Sequence, residues 1–95
     1  MRPKTRKPFL QRSRLEIITC LLSNAYNGSR KTRLIYKCNL SVSLFNKYVT
    51  HIIDGGLIKK HIEEKGVEIY LITDKGKAFL KDYEKIKKIL EKMNL

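Results

Sequence analysis

TRLIYKCNLSVSLFNKYV, residues 32–49, reads as two short helical stretches separated by a Cys38-Asn39-Leu40 break, with no acidic residue anywhere in it. Neither stretch can stand alone in water, where an isolated helix of roughly 12–15 residues is marginal. Each therefore has to be held by packing. The first extends back to about residue 30, with Ser29 as its expected N-cap. Leu34 and Ile35 face a core, and Arg30, Lys31, Arg33 and Lys37 point outward. Asn39 tolerates the left-handed backbone that a sharp turn needs. Ser41 then caps a longer helix running to Asp54, where Gly55-Gly56 stops it. Its expected buried stripe is Leu44, Tyr48 and Ile52, flanked by Val49 and Ile53, and its opposite face shows Ser43, Asn46, Lys47 and Thr50.

Toward the N-terminus, Ser13-Arg14-Leu15-Glu16 is an S-x-x-E capping box. Leu15, Ile18, Leu22 and Ala25 follow at helical spacing with Leu21 beside them, which predicts a first helix over 13–26, ended by Asn27-Gly28. Residues 1–12 lack periodicity, and Pro3 and Pro8 interrupt a basic run, so a flexible arm is expected there. Toward the C-terminus the period becomes that of strands. LIKKHIEE and VEIYLIT flank Lys65-Gly66, the signature of a hairpin with its tip at about 64–66. Thr73-Asp74 opens a last helix with a hydroxyl cap and an acid at the positive end of the helix dipole. In it Phe79, Tyr83, Ile86, Leu90 and Met93 recur at alternating spacings of four and three, a heptad seam. Packing back onto the domain accounts for Phe79 and Leu80. Beyond Tyr83 the helix would project about 18 Å at ~1.5 Å per residue, so the seam is expected to meet the same helix of a second copy.

The chain of 95 residues carries a net charge of +12. Residues 1–53 hold eleven Lys and Arg against Glu16 alone, whereas residues 54–95 hold ten against eight acids. A solubility role would not confine the surplus to one half, and a one-sign field points to a polyanionic partner. Cys20 and Cys38 form no C-x-x-C pair, and His51 and His61 complete no zinc pattern. No metal is expected, and both cysteines read as small buried apolar residues. There is no H-E-x-x-H, G-x-S-x-G, Walker or dinucleotide-binding glycine pattern, so neither an enzyme, nor a cofactor, nor a small-molecule ligand is expected. No window approaches the ~18 apolar residues of a membrane span, and the N-terminal residues lack the apolar run of a secretory signal. A cytoplasmic, nucleoid-associated protein is the expectation.

Helix, helix, helix, hairpin, helix is a mostly α arrangement with a small β-hairpin (α+β), and its centre follows the helix-turn-helix plan. In that plan the second helix of the pair enters the major groove, and a hairpin behind it forms a wing along the neighbouring groove or backbone. The segments SRLEIITCLL, KTRLIYKCNLS, GLI and YLITDKGKAFL resemble those of archaeal winged-helix DNA-binding proteins. In particular they are similar to the dimeric ten-kilodalton archaeal chromatin proteins and related small regulators. The resemblance covers about residues 13–90. It implies a winged helix whose long C-terminal helix pairs antiparallel with its mate. The chain departs from that pattern in a C-terminal helix ending early, at Leu95, and in a longer wing.

The expected organisation is a basic arm over 1–12, a winged-helix DNA-binding domain over 13–76 and a dimerisation helix over 77–95. Ser41, Ser43, Asn46, Lys47 and Thr50 are the candidates for the groove, where Asn suits adenine, Lys suits guanine, and hydroxyls suit bases or phosphates. Phe45 fits three places: a thymine methyl, the space beneath the preceding helix, or a dimer interface. Arg30, Lys31, Thr32, Arg33 and Lys37 are expected at phosphates, which position a protein without specifying sequence. Lys65, with Lys59 and Lys60, would serve the wing. Arg2, Lys4, Arg6 and Lys7 suit either a minor-groove arm or a solubility tail. Phe79, Tyr83, Ile86, Leu90 and Met93 are the expected dimer contacts. The function read from these residues is that of a dimeric regulator or chromatin protein on double-stranded DNA. An RNA-binding module and a protein-interaction adaptor on the same fold are the alternatives.

Overall fold

The computed structural model describes residues 13–94. Ser13 starts the order: its hydroxyl accepts from the Glu16 amide at 3.1 Å, and the Glu16 carboxylate accepts from the Ser13 amide at 2.9 Å. Helix α1 follows over Arg14–Asn24. Its buried side is Ile17, Leu21 and Leu22, continued by Ala25, whereas Leu15 is 41% exposed. Of the expected stripe, Leu21, Leu22 and Ala25 are buried and Ile18 packs against the core, while Leu15 is not part of it. The spacing of four from Ile17 through Leu21 to Ala25 is what faces the interior.

Beyond Gly28, at φ +92°, the chain forms a two-residue strand, β1, Ser29–Arg30. Ser29 thus belongs to a sheet and is not the cap of the next helix. That helix, α2, spans Lys31–Lys37 with Arg30 as an N-cap that makes no side-chain cap bond. Helix α3 spans Val42–Asp54, and the Ser41 hydroxyl accepts from the Leu44 amide at 3.0 Å. Between them Asn39 takes φ +52°, which lets the Leu40 amide reach back to the Ile35 carbonyl at 3.0 Å. Strands β2, Ile58–Ile62, and β3, Glu68–Ile72, form the hairpin. All pairings are antiparallel in the order β1-β3-β2, with Ser29 opposite Tyr70 and Lys60 opposite Tyr70 on the other side. Helix α4 completes the fold over Asp74–Lys92, capped by the Thr73 hydroxyl, which accepts from the Gly76 amide at 3.0 Å.

The core gathers Leu21, Leu22, Leu34, Phe45 and Ile58 with almost no exposed surface. Phe45 meets the edge of Tyr70, ring centres 5.6 Å apart, and so fixes α3 against the sheet. Helix α3 buries Phe45, Val49 and Ile52, with Leu44, Tyr48 and Ile53 half-buried beside them. The expected stripe is thus rotated, and Phe45 belongs to the core. Burial pushes the Tyr70 phenol above its usual pKa, and the Glu68 carboxylate adds to the shift.

Cys20 and Cys38 are joined in a disulfide, Cα atoms 5.9 Å apart, tying α1 to the residue just beyond α2. This corrects their reading as separate apolar residues. Their spacing of eighteen residues fits no metal or redox motif, so only the tertiary fold could pair them. Gly76, buried at the start of α4, is required by contact. A Cβ there would run into the Leu57 carbonyl oxygen and lie 2.6 Å from Ile72 Cγ1. Among the described residues no helix is long and apolar enough to cross a membrane.

Candidate nucleic-acid interface

The outer face of α3 is set by its inner one. With Phe45, Val49 and Ile52 turned to the core, Ser43, Asn46, Lys47 and Thr50 are left exposed on the other side. The Thr50 hydroxyl donates to the Asn46 carbonyl at 2.8 Å, so its oxygen faces solvent as an acceptor. Ser41, as cap, holds the start of the helix, where the positive end of the dipole lies. Neither α2 nor the first turn of α3 contains an acid, so no carboxylate of these two segments opposes an anion there.

Helix α2 contributes less uniformly than its sequence implies. Arg30, Thr32 and Lys37 are exposed. Lys31 is half-buried, with its ammonium 5.8 Å from the centre of the Phe45 ring. Arg33 is exposed too, but its Nη1 is engaged, donating to the Asn24 carbonyl at 3.1 Å and to the Ser29 hydroxyl at 3.3 Å. Its guanidinium thereby locks the end of α1 to β1, a packing role the sequence does not reveal. At the wing, Lys65 sits in the turn closed by the Gly66 amide donating to the Glu63 carbonyl at 2.8 Å. Arg30, Glu63, Glu64, Lys65 and Val67 line one shallow concavity there, so the tip is mixed in charge. Lys60 is paired with Glu68 across the hairpin at 3.8 Å, while Lys59 is exposed.

Three further residues join this surface. Arg14 of α1 and His51 of α3 line a cleft with Lys47, floored by Ile18 and Tyr48. Tyr36 stands 80% exposed on α2. In the sequence Arg14 lies inside the S-x-x-E capping pattern, which accounts for the position without a surface role. For Tyr36 the available signal was an aromatic in a phase otherwise occupied by Arg33 and Lys37.

Along α4 the seam divides. Phe79 and Tyr83 are half-buried against the body, and Leu80 packs on the core beside Phe79. Ile86, Leu90 and Met93 are exposed, as is Ile89 one position off the heptad. Among the described residues, no three or more His, Cys, Asp or Glu side chains are gathered so as to hold a metal ion. The arm candidates Arg2, Lys4, Arg6 and Lys7 lie outside the described residues.

The winged helix-turn-helix family model matches residues 11–91. An uncharacterized protein of Methanocaldococcus jannaschii is 34% identical over 92 residues, covering 96% of this chain and 87% of that one. A second uncharacterized protein of that organism is 28% identical over 88 residues, 92% of this chain and 39% of its own length. Among solved structures, Sso10a-2, a DNA-binding protein from Sulfolobus solfataricus, superposes with a TM-score of 0.77 at 29% identity, over 87% of this chain and 86% of that one. ZitR of Lactococcus lactis, solved in complex with DNA, shares the fold with a TM-score of 0.63 at 21% identity, over 86% of this chain and 57% of its own.

Proposed function

This chain belongs to the winged helix-turn-helix family, and we propose that it is a homodimeric protein binding double-stranded DNA, a transcriptional regulator or a chromatin protein of the nucleoid. The observation that carries the reading is the acid-free surface from α2 into α3. Its exposed residues Arg30, Thr32, Lys37, Ser43, Asn46, Lys47 and Thr50 are not needed by the core. Helix α3 would lie in the major groove, about 12 Å wide, and Lys65 would bring the wing to the adjacent groove or backbone. The likeness to a DNA-binding protein over most of both chains supports the same reading. In this division, residues 13–76 read DNA and 77–95 dimerise, because Ile86, Ile89, Leu90 and Met93 leave a row of apolar side chains in water. An arm over 1–12 would add basic contacts.

Salt tests the proposal. If six to ten phosphates are contacted, affinity for a short duplex falls about 10³–10⁵-fold between 50 and 200 mM salt. A flat response refutes it. Lys47→Glu should weaken binding strongly with the circular dichroism spectrum unchanged, while Lys88→Glu should not. Structured RNA competing as well as duplex DNA would favour the RNA-binding alternative, and a chain that binds neither would favour the adaptor.

A further inference from the structure

We infer that the cleft between α1 and α3 is a phosphate seat, where Arg14 and a protonated His51 hold a backbone phosphate of DNA and make binding tighter as pH falls. The inference rests on the DNA-binding proposal above. Arg14 opens α1, His51 lies in the last turn of α3, and both are exposed. With Lys47 they line one cleft over the half-buried Ile18 and Tyr48. At about 100° per residue His51 stands roughly 40° around α3 from Lys47. The cleft therefore continues the exposed face of Ser43, Lys47 and Thr50 on its α1 side.

The lining selects an anion. The wing-tip concavity includes Glu63 and Glu64, and the one between α1 and α4 includes Glu16 and Glu84. The α1–α3 cleft instead joins two cations and an imidazole, with no carboxylate among its lining residues. Charge of one sign over an apolar floor focuses the field on whatever enters. The groups facing His51 are Arg14 from α1 and Lys47 and Tyr48 from α3. Glu16 is turned about 160° around α1 from Ile18, its carboxylate accepting from the Ser13 amide. Strand β2 also packs on α3, but Lys59, Lys60 and His61 do not line the cleft, and neither does Asp54, three residues beyond His51. A helix lying in the major groove has phosphates along its flanks, and contacts to them position the protein. Arginine and imidazolium both donate to phosphate oxygens with charge assistance, whereas neutral imidazole keeps a donor and loses the charge. Imidazole changes charge between about pH 5 and 8, so the seat holds its phosphate more firmly at the acid end.

The test varies the proton and then the cation. Affinity for one duplex is measured at about pH 5.5 and about pH 8 at constant salt, with circular dichroism verifying the fold of each variant at both. The parent should bind about fivefold more tightly per copy of the seat at the lower pH. His51→Gln should lose that difference, and His51→Lys should bind tightly at both values. His61→Gln, in the hairpin, should keep the parent's response. Arg14→Gln should weaken binding to every duplex alike and lower the slope of log K against log salt by about one per copy. If the parent binds duplex DNA equally at both pH values, or His51→Gln keeps the response, the inference is overturned and the DNA-binding proposal stands. An unchanged salt slope in Arg14→Gln overturns it as well. If the parent binds no duplex, both fall.

Discussion

Gly76→Ala should destabilise the fold even though alanine is the better helix former. The added Cβ would meet the Leu57 carbonyl oxygen, with Ile72 Cγ1 at 2.6 Å and the Leu57 carbonyl carbon at 3.1 Å. Two of these atoms are backbone, so no rotamer change clears the space, and α4 has to retreat from the hairpin. The retreat strains the Thr73 amide's bond to the Leu57 carbonyl at 3.1 Å and the Thr73 hydroxyl's bond to the Gly56 carbonyl at 2.6 Å. Overpacking costs about 1–3 kcal/mol, and each weakened hydrogen bond roughly another 1 kcal/mol. Helix propensity offsets about 1 kcal/mol of that. The net is a loss of about 2–4 kcal/mol, a large share of the roughly 5–15 kcal/mol that holds a domain together. At roughly 4–8 °C per kcal/mol for a domain of this size, Tm should drop by about 10–30 °C. Thermal and urea unfolding followed by circular dichroism reads this directly. Gly66→Ala is the comparison: a Cβ there meets nothing within 4 Å, so it feels only the backbone cost of alanine at φ +79° and no clash. If Gly76→Ala is as stable as the parent, α4 does not pack on Leu57 as described.

Reducing the Cys20–Cys38 disulfide should cost about 3 kcal/mol, the loop-closure entropy for a separation of eighteen residues, read as a lower urea midpoint with dithiothreitol. Thiol titration of the unfolded, unreduced protein should find neither cysteine free, and two free thiols would refute the pairing. Because burial raises the Tyr70 pKa in the folded state above its ordinary value of 10.0, its contribution is fully present below pH 10 and is lost as pH rises through the folded value. Tm should therefore decline above pH 10 in the parent, and less steeply in Tyr70→Phe; equal slopes would exclude Tyr70 as the cause. Ile86→Asp with Leu90→Asp should give a monomer by sedimentation with the winged-helix spectrum retained, and an unchanged mass would refute the proposed seam.

Much of the fold was legible because its boundaries are chemical. Ser13, Ser41 and Thr73 cap helices through their hydroxyls, Asn39 supplies the turn, and Gly66 marks the hairpin tip. These are local preferences, visible without knowing what packs where. Phase was harder to read. In α1 and α3 apolar residues occupy more of the circumference than the core uses, so Leu15 and Leu44 looked as plausible as Ile17 and Phe45. Which ones are buried is decided by the partner elements, and sequence spacing does not contain them. Strand β1 was missed because two residues carry no period, and the disulfide because nothing local joins α1 to the end of α2. The candidate surface was legible as a charge surplus and a hydroxyl-rich helix face. Arg33, drawn into bonds with Asn24 and Ser29, marks the limit of reading role from charge.

Strand β1 has a consequence for how forces pass through the molecule. Ser29 and Arg30 pair with Tyr70 and Ile69, and the Ile72 amide donates to the Ala25 carbonyl at 3.0 Å. The wing and the α2–α3 unit are therefore joined in a single lever, with no slack loop between Arg30 and Lys31. A load applied at the wing tip reaches α2 through β3. If the chain docks on a duplex as proposed, such a lever would act as a caliper: the distance from Lys47 to Lys65 would have to match the spacing of one groove to the next. B-form and A-form helices differ in that spacing, so a rigid span would favour one duplex form through geometry, before any base is read.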